Sequence, residues 1–529
     1  MTTGADTRAS GVADEGNTMF RTTVSETTVS KTTDSETADS ETAVSETAAS
    51  VLPVPDRCYV GGKWIEADSG DTIAVLDPGN GELVGTVPAL GRSETRRAVE
   101  AAASALDDWR NTTAAGRAAV LMRMHDLMLD HTDSLARLLT REQGKPLAEA
   151  VAEIRSGAGF LEFYAEEGKR TYGDVIPTDR TDRRIVVIRQ PVGVVAAITP
   201  WNFPSSMILR KIAPALAAGC TIVVKPAELT PLSALILGYV ADLAGLPPGV
   251  LNVVTGEPDV VGEVLVASDL VRKLTFTGST ETGRHLIRES ADTLKRVSME
   301  LGGNAPFIVL DDADLDLAVD GAVATKFRNA GQTCISANRI YVQSGIYEQF
   351  VDRLAARAAQ MKVGHGLAPA TEVGPLIGDE AIAKVESLLA DAVGSGARVV
   401  TGGSRHPQGG LYFEPTVVAD LADTTSLGST EIFGPVAPVY RFDTVDEVVR
   451  LANATEHGLA AYIYTENYRR GWLMAEALEY GMVGVNEAAL ATAVAPFGGI
   501  KASGFGREGS RHGIVDYTEL KYICVGGMS

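Results

Sequence analysis

Cysteine is scarce in this chain. The 529 residues contain four, Cys58, Cys220, Cys334 and Cys524, too far apart for a CxxC pair or a Cys/His cluster. That spacing excludes a disulfide-built scaffold and a zinc ribbon, and no metal site is expected. The seven histidines never stand at HxxxH spacing, the pair a helical zinc site needs. Long apolar runs are missing too: the best, 231–240, is followed by Asp242, well short of the roughly 20 apolar residues of a membrane span. Basic residues are outnumbered, 47 Lys and Arg against 68 Asp and Glu, for a formal net charge of -21. That balance disfavours nucleic acid and anionic lipid as partners, because both require a basic face. The expectation is a cytoplasmic protein that binds neither nucleic acid nor membrane.

The first 50 residues stand apart. They hold 9 acidic and 3 basic side chains, 20 Ser or Thr, and no Leu, Ile, Trp or Tyr. From Thr22 a pentad recurs, with serines at 25, 30, 35, 40, 45 and 50. A five-residue period builds no apolar face on helix or strand. Such a segment cannot offset its ordering entropy, so 1–50 reads as a disordered tail. It lacks the basic start and apolar block of a secretory signal, and it is too acidic for a transit peptide.

The rest of the chain has ample apolar residues, and their patterning is informative. Residues 57–95 alternate short apolar runs with turns such as Asp77-Pro78-Gly79-Asn80-Gly81, which reads as a small β segment. From Ser93 to Glu167 apolar residues fall at helical spacing, for example Leu121, Met124, Leu127 and Met128. Between Val192 and Asp311, β-rich runs at 194–198, 221–224, 251–254, 274–277 and 306–310 alternate with helical stretches at 204–218, 229–245, 258–268 and 280–291. This α/β alternation predicts a parallel sheet covered on both faces, with ligands at the strand C-termini. A second α/β region spans 311–485. Two charged β-like pieces, 183–189 and 517–525, remain outside both, and pairing with another subunit would cover their edges.

Several strings can carry chemistry. The one GxGxxG, at Gly504, Gly506 and Gly509, neither follows a strand nor opens a long helix, so it reads as a tight surface turn. Residues 274–280 suit a phosphate better: a strand runs into Gly278, and Ser279 can cap the helix that follows and leave N–H groups for a pyrophosphate. Capping alone is the other reading. Cys334 lies in a polar loop, 327–334, and is either a buried small hydrophobe or a nucleophile. Glu300 precedes Gly302-Gly303 in an apolar stretch, where an acid is paired or has a raised pKa suited to a general base. Asn202 ends a sheet strand, as an oxyanion donor or a helix N-cap.

Together, strings in order resemble the aldehyde dehydrogenase superfamily: TPWNFP at 199–204, KPAE at 225–228, FTGSTETG at 276–283, MELGGN at 299–304, GQTC at 331–334, EIFGP at 431–435 and PFGGIKASGFGREG at 496–509. The resemblance runs from Val60 to the C-terminus. It implies an α/β fold with a Rossmann-type parallel-sheet coenzyme domain, an α/β catalytic domain and a β-hairpin oligomerisation element. The matching boundaries are 51–182 with 192–303 for NAD binding, 304–503 for catalysis, and 183–191 with 504–529 for oligomerisation, as a homo-oligomer, dimer or tetramer. It also implies Cys334 as nucleophile, Asn202 as oxyanion donor and Glu300 as the base that activates water. Thr199, Pro200, Trp201, Lys225, Glu228, Gly278, Ser279, Glu431 and Phe433 match coenzyme contacts. Lys225 and Glu228 fall at the adenosine ribose, Ser279 at the pyrophosphate, and Glu431 with Phe433 at the nicotinamide ribose. Glu228 can accept bonds from ribose hydroxyls and repels a 2′-phosphate, which favours NAD; Lys225 nearby keeps NADP open.

Within the superfamily the chain most resembles succinate-semialdehyde dehydrogenases, through 201–211 and 326–329. Arg210 and Arg328 match the arginines that bind the substrate's distal carboxylate, a fit task for guanidinium groups. The third contact of that family is a serine, and here Ala491 stands in its place with Thr492 beside it. That departure leaves glutarate semialdehyde, 2-oxoglutarate semialdehyde and a general aldehyde as alternatives. Ser336 occupies the position where some members carry a second, disulfide-forming cysteine, so that switch is not expected. A CoA-acylating enzyme is disfavoured by Glu300, and a non-catalytic binding protein by the complete set of Asn202, Glu300 and Cys334.

Overall fold

The computed structural model describes residues 52–421 and 425–528; the tail expected over 1–50 lies outside them. The first sheet has eight strands, in the order Lys63–Ile65, Cys58–Val60, Leu251–Val253, Thr221–Lys225, Val194–Ile198, Val271–Thr277, Arg296–Glu300 and Gly504–Phe505. From Leu251–Val253 to Arg296–Glu300 neighbouring strands run parallel. Val194–Ile198 is apolar throughout because helices leave it no solvent-facing side. One of those helices, Ser206–Ala218, is buried along its whole length.

The second sheet has seven strands, in the order Arg398–Thr401, Thr416–Ala419, Val436–Phe442, Ala337–Gln343, Ala305–Val309, Ala460–Tyr464 and Met482–Val485. Only its outermost pair, Arg398–Thr401 with Thr416–Ala419, is antiparallel. A third, three-stranded sheet pairs Arg183–Pro191 with Thr518–Gly526 on one side and Asp174–Ile176 on the other. The two orphan β pieces of the sequence therefore pair with each other. Thr518–Gly526 keeps one edge without a partner strand among the described residues, with Leu520, Tyr522 and Val525 exposed on it.

Three details differ from the sequence reading. The run at 306–310 belongs to the second sheet, not to the alternation that precedes it. Its place in the first sheet is taken by Arg296–Glu300, whose mixed charged and apolar residues hide a strand from a periodicity argument. Residues 504–505, grouped by sequence with the oligomerisation strands 504–529, instead pair antiparallel with Met299 and Glu300 at the edge of the first sheet. Gly504 is thus buried rather than part of a surface turn. A Cβ there would lie 2.0 Å from the Met299 carbonyl oxygen.

Arg339 ties the second sheet to its surroundings. It is 2% exposed, and its guanidinium donates to the carbonyls of Asn304 (2.9 Å), Leu451 (3.0 Å) and Ala452 (2.9 Å) and to the Tyr480 hydroxyl (2.8 Å). Arg339→Ala leaves buried acceptors without donors. The expected loss is about 3 kcal/mol, read as a lower urea midpoint at unchanged slope.

Candidate active site

The site is assembled around a buried lysine. Lys145 follows a left-handed Gly144 and precedes the Leu147–Glu167 helix. Its Nζ donates to Glu153 at 2.6 Å and to the Asn202 carbonyl at 2.7 Å, with both charged side chains fully buried. Glu153 also accepts the backbone N–H groups of Ser205 and Ser206. One carboxylate thus satisfies the start of the Ser206–Ala218 helix and places Arg210, one turn further on. Asn202 lies upstream of that helix and does not cap it. Its Nδ2 donates to the Gln332 carbonyl at 2.9 Å, which leaves its second N–H available.

The cysteine loop is strained. Asn329 and Ala330 have φ of 51° and 53°, and Gly331 has φ of 76°. Left-handed backbone at non-glycine residues costs about 1–2 kcal/mol each. Side chains hold the shape: Asn329 donates to the Asn202 carbonyl (3.0 Å), Gln332 donates to the Asn329 carbonyl (3.0 Å), and Glu149 accepts the Asn329 N–H (2.9 Å). Close approach excludes any side chain at Gly303, whose added Cβ would lie 2.1 Å from the Cys334 carbonyl oxygen.

Cys334 stands between two cavities. The larger, about 640 Å³, is lined by Pro200, Trp201, Asn202, Glu228, Gly278, Ser279, Glu300, Glu431 and Phe433 together with Cys334. Trp201 and Phe433 meet edge to face there, 5.6 Å between centroids. Ser279 caps the Thr280–Ser290 helix by accepting the Thr282 N–H at 3.1 Å and also lines the cavity, so its two readings are compatible. Lys225 is buried behind the wall, 3.4 Å from Glu228. Thr199 is buried with its hydroxyl unpartnered. Glu431 accepts the Gly303 N–H at 3.0 Å, and burial pushes its carboxyl up to about 7.

The smaller cavity, about 260 Å³, is lined by Phe203, Arg210, Arg328, Cys334, Ala491 and Phe497, among others. Arg210 is 4% exposed, and its guanidinium lies 4.4 Å from the Phe497 ring centroid. Its Nε and Nη1 have no hydrogen-bond partner. Arg328 is exposed and sits over the Phe203 ring at 5.1 Å. Thr199, Lys225 and Thr492 line neither cavity: the first two are buried, and Thr492 lies outside. Ala491 lines both this cavity and a separate outer one, and Thr492 lines only the outer one, with Phe163 and Arg170.

The carboxylates are electrostatically coupled. Both Glu300 oxygens are buried without partners. Burial first, and the Glu508 carboxylate second, push Glu300 well above the usual range against the opposing pull of Lys211, Arg210 and Arg507. Lys211 is fully buried, pairs with Glu508 and donates to Thr277 at 2.7 Å. Burial, then Glu431, push the Cys334 thiol up to about 12. In this state the thiol is neutral and needs a base. Sequence reasoning passed over Lys145, Glu153, Lys211 and Glu508. The available signal was a charge inside an apolar run, as at Lys211 between Leu209 and Ile212. Glu153→Ala leaves the Lys145 charge uncompensated and is expected to destabilise the protein by about 3–5 kcal/mol, measured by denaturant unfolding.

The comparisons with known proteins agree with this geometry. The model of the aldehyde dehydrogenase family matches residues 64–523. Glutarate-semialdehyde dehydrogenase of Pseudomonas aeruginosa is 57% identical over 472 residues, 89% of this chain and 98% of that protein. The NADP(+) succinate-semialdehyde dehydrogenase of Escherichia coli is 55% identical over 470 residues, 89% of this chain and 98% of that protein. The crystal structure of an Escherichia coli NADP-dependent enzyme superposes with a TM-score of 0.89 at 54% identity, covering 89% of this chain and 98% of that one. With a cysteine set between two cavities and an orphaned buried glutamate beside it, the chain belongs to the aldehyde dehydrogenase family.

Proposed function

We propose that this enzyme oxidises a semialdehyde bearing a distal carboxylate, succinate semialdehyde or its longer homologue glutarate semialdehyde, with NAD or NADP as oxidant. One observation carries the reading. Cys334 lies where a cavity lined by carboxylates meets a cavity lined by two guanidinium groups. Arginine donors without partners in a small cavity suit an anionic tail, and they hold it against the acidic field of the whole chain. Ala491, which offers no hydroxyl, favours keeping the longer homologue.

The larger cavity fits a dinucleotide. Glu228 and Glu431 offer acceptors for ribose hydroxyls, and Ser279 at a helix N-terminus suits a pyrophosphate. Gly302 keeps the floor open, since a Cβ there would lie 2.8 Å from Glu431 Oε2. Thr199, Pro200, Trp201, Lys225, Gly278 and Phe433 complete this site. When bound, the nicotinamide supplies the hydride acceptor.

Each step falls to a named residue. Cys334, once deprotonated, attacks the aldehyde carbon and forms a thiohemiacetal. The free N–H of Asn202 and the backbone N–H of Cys334 stabilise the oxyanion. Loss of hydride leaves a thioester on Cys334. Glu300 takes a proton from water, which attacks the thioester and releases the acid. The raised affinity of Glu300 for protons equips it as a base; burial sets that affinity first, Glu508 raises it further and Lys211 opposes. Subunits associate through the free edge of Thr518–Gly526, and the protein works in the cytoplasm; among the described residues no helix is long and apolar enough to cross a membrane.

Cys334→Ala abolishes NAD(P)H formation from succinate semialdehyde. Arg328→Ala raises KM for succinate semialdehyde about tenfold or more while butanal changes less than about twofold; equal effects on both aldehydes would exclude an anionic substrate. Glu228→Ser raises kcat/KM with NADP relative to NAD, by removing repulsion of the 2′-phosphate. Glu300 and Cys334 are both held above their usual values, so their basic forms are gained only as pH rises. Initial rates therefore climb from about pH 6 to about pH 9, and a rate falling over that range would contradict the assignment.

A further inference from the structure

We propose that Ser156 contacts the substrate and selects its length: its hydroxyl meets the distal acid group of a semialdehyde one methylene longer than succinate semialdehyde, at the neck of the Arg210/Arg328 cavity. This rests on the semialdehyde reading above. Ser156 and Ala491 each line both the cavity that contains Cys334 and the outer cavity beside Thr492. They therefore form the boundary, or neck, between the two. On one side of this neck Ala491 presents a methyl group with nothing to donate. On the other, the exposed Ser156 presents a hydroxyl from the Leu147–Glu167 helix.

The packing of that helix sets Ser156 against the cavity. The next residue is Gly157, where an added Cβ would lie 2.7 Å from Leu209 Cδ1 and 3.4 Å from Ser206 Cα. The absence of a side chain lets the helix lie close against Ser206–Ala218, the helix that carries Arg210. Ala152 and Ser156, one turn apart, line the cavity together with Glu153, whose carboxylate pairs with Lys145.

The anion receptor thus has two depths. Arg210 is buried, with Nε and Nη1 free of hydrogen bonds and Nη1 3.9 Å from a Glu508 carboxylate oxygen, and serves an acid group held deep in the cavity. Arg328, exposed over the Phe203 ring, lines the same cavity and serves both tails, while Ser156, exposed at the neck, serves a group held further out. With its carbonyl at Cys334, the longer semialdehyde places its carboxylate nearer the neck and gains the Ser156 hydroxyl as donor. The shorter one does not reach it. The helix supplies the hydroxyl that residue 491 lacks.

The test is steady-state kinetics of the full-length enzyme with succinate semialdehyde, glutarate semialdehyde and pentanal. Ser156→Ala is expected to raise KM for glutarate semialdehyde about tenfold, the loss of one hydrogen bond to a charged group. The other two aldehydes are expected to shift less than about twofold and kcat to hold, while Ser156→Thr, which keeps the hydroxyl, returns KM to within about twofold of the unaltered enzyme. A shift shared by all three aldehydes, no shift at all, or a threonine variant as impaired as the alanine overturns the proposal. Arg328→Ala, assayed alongside, separates the two levels. If it weakens both acidic aldehydes and Ser156→Ala weakens neither, the semialdehyde reading stands and the role of Ser156 falls. If neither variant discriminates acidic from neutral aldehydes, both fall.

Discussion

One buried ammonium organises the site. Lys145 Nζ reaches Glu153 at 2.6 Å and the Asn202 carbonyl at 2.7 Å, and lies 3.9 Å from the Phe203 ring centroid. A charge this deep is tolerated only when paired and hydrogen-bonded. The groups that satisfy it come from the Leu147–Glu167 helix and the loop after Val194–Ile198, and Glu153 passes the constraint on to the first N–H groups of Ser206–Ala218. Asn329 joins by donating to the same Asn202 carbonyl. Asn202, Arg210 and the cysteine loop are therefore positioned by one network rather than by three independent packings.

The same burial that makes this network rigid shapes the chemistry. Glu300, Glu431 and Cys334 are all shifted toward their neutral forms with burial as the leading cause. Low local dielectric makes any charge developing during reaction costly unless a preset donor or counter-charge faces it. Asn202 and Arg210 line the two cavities on either side of Cys334. The strained backbone at Asn329 and Ala330 fits this picture, since it is the neighbouring hydrogen bonds that hold Cys334 where the two cavities meet.

Much of this was legible in the chain. The strands at 194–198 and 221–225 announced themselves as continuous apolar runs, and the motif strings brought Cys334, Glu300, Asn202, Glu228, Ser279 and Glu431 to one cavity. Arg296–Glu300 escaped notice because an edge-side strand of mixed polarity has no clean period. Thr492 lines only the outer cavity although its neighbour Ala491 lines both, because adjacency in sequence says nothing of which cavity a side chain meets. Lys145 and Glu153 carried too little local pattern to stand out.

By itself the sequence determined the fold class and the family, and it singled out Cys334, Glu300, Asn202 and the two arginines that the fold brings to adjoining cavities, because apolar periodicity and short strings are local properties that survive without coordinates. Only the tertiary structure decided that the glycines at 504 and 506 fold against the first sheet, that Ser156 and Ala491 stand between the smaller cavity and the outer one, and that Glu508 bears on Glu300 from 208 residues away in the chain. Such relations depend on distance through a low-dielectric interior, and distance in space is set by packing between segments that are remote in sequence.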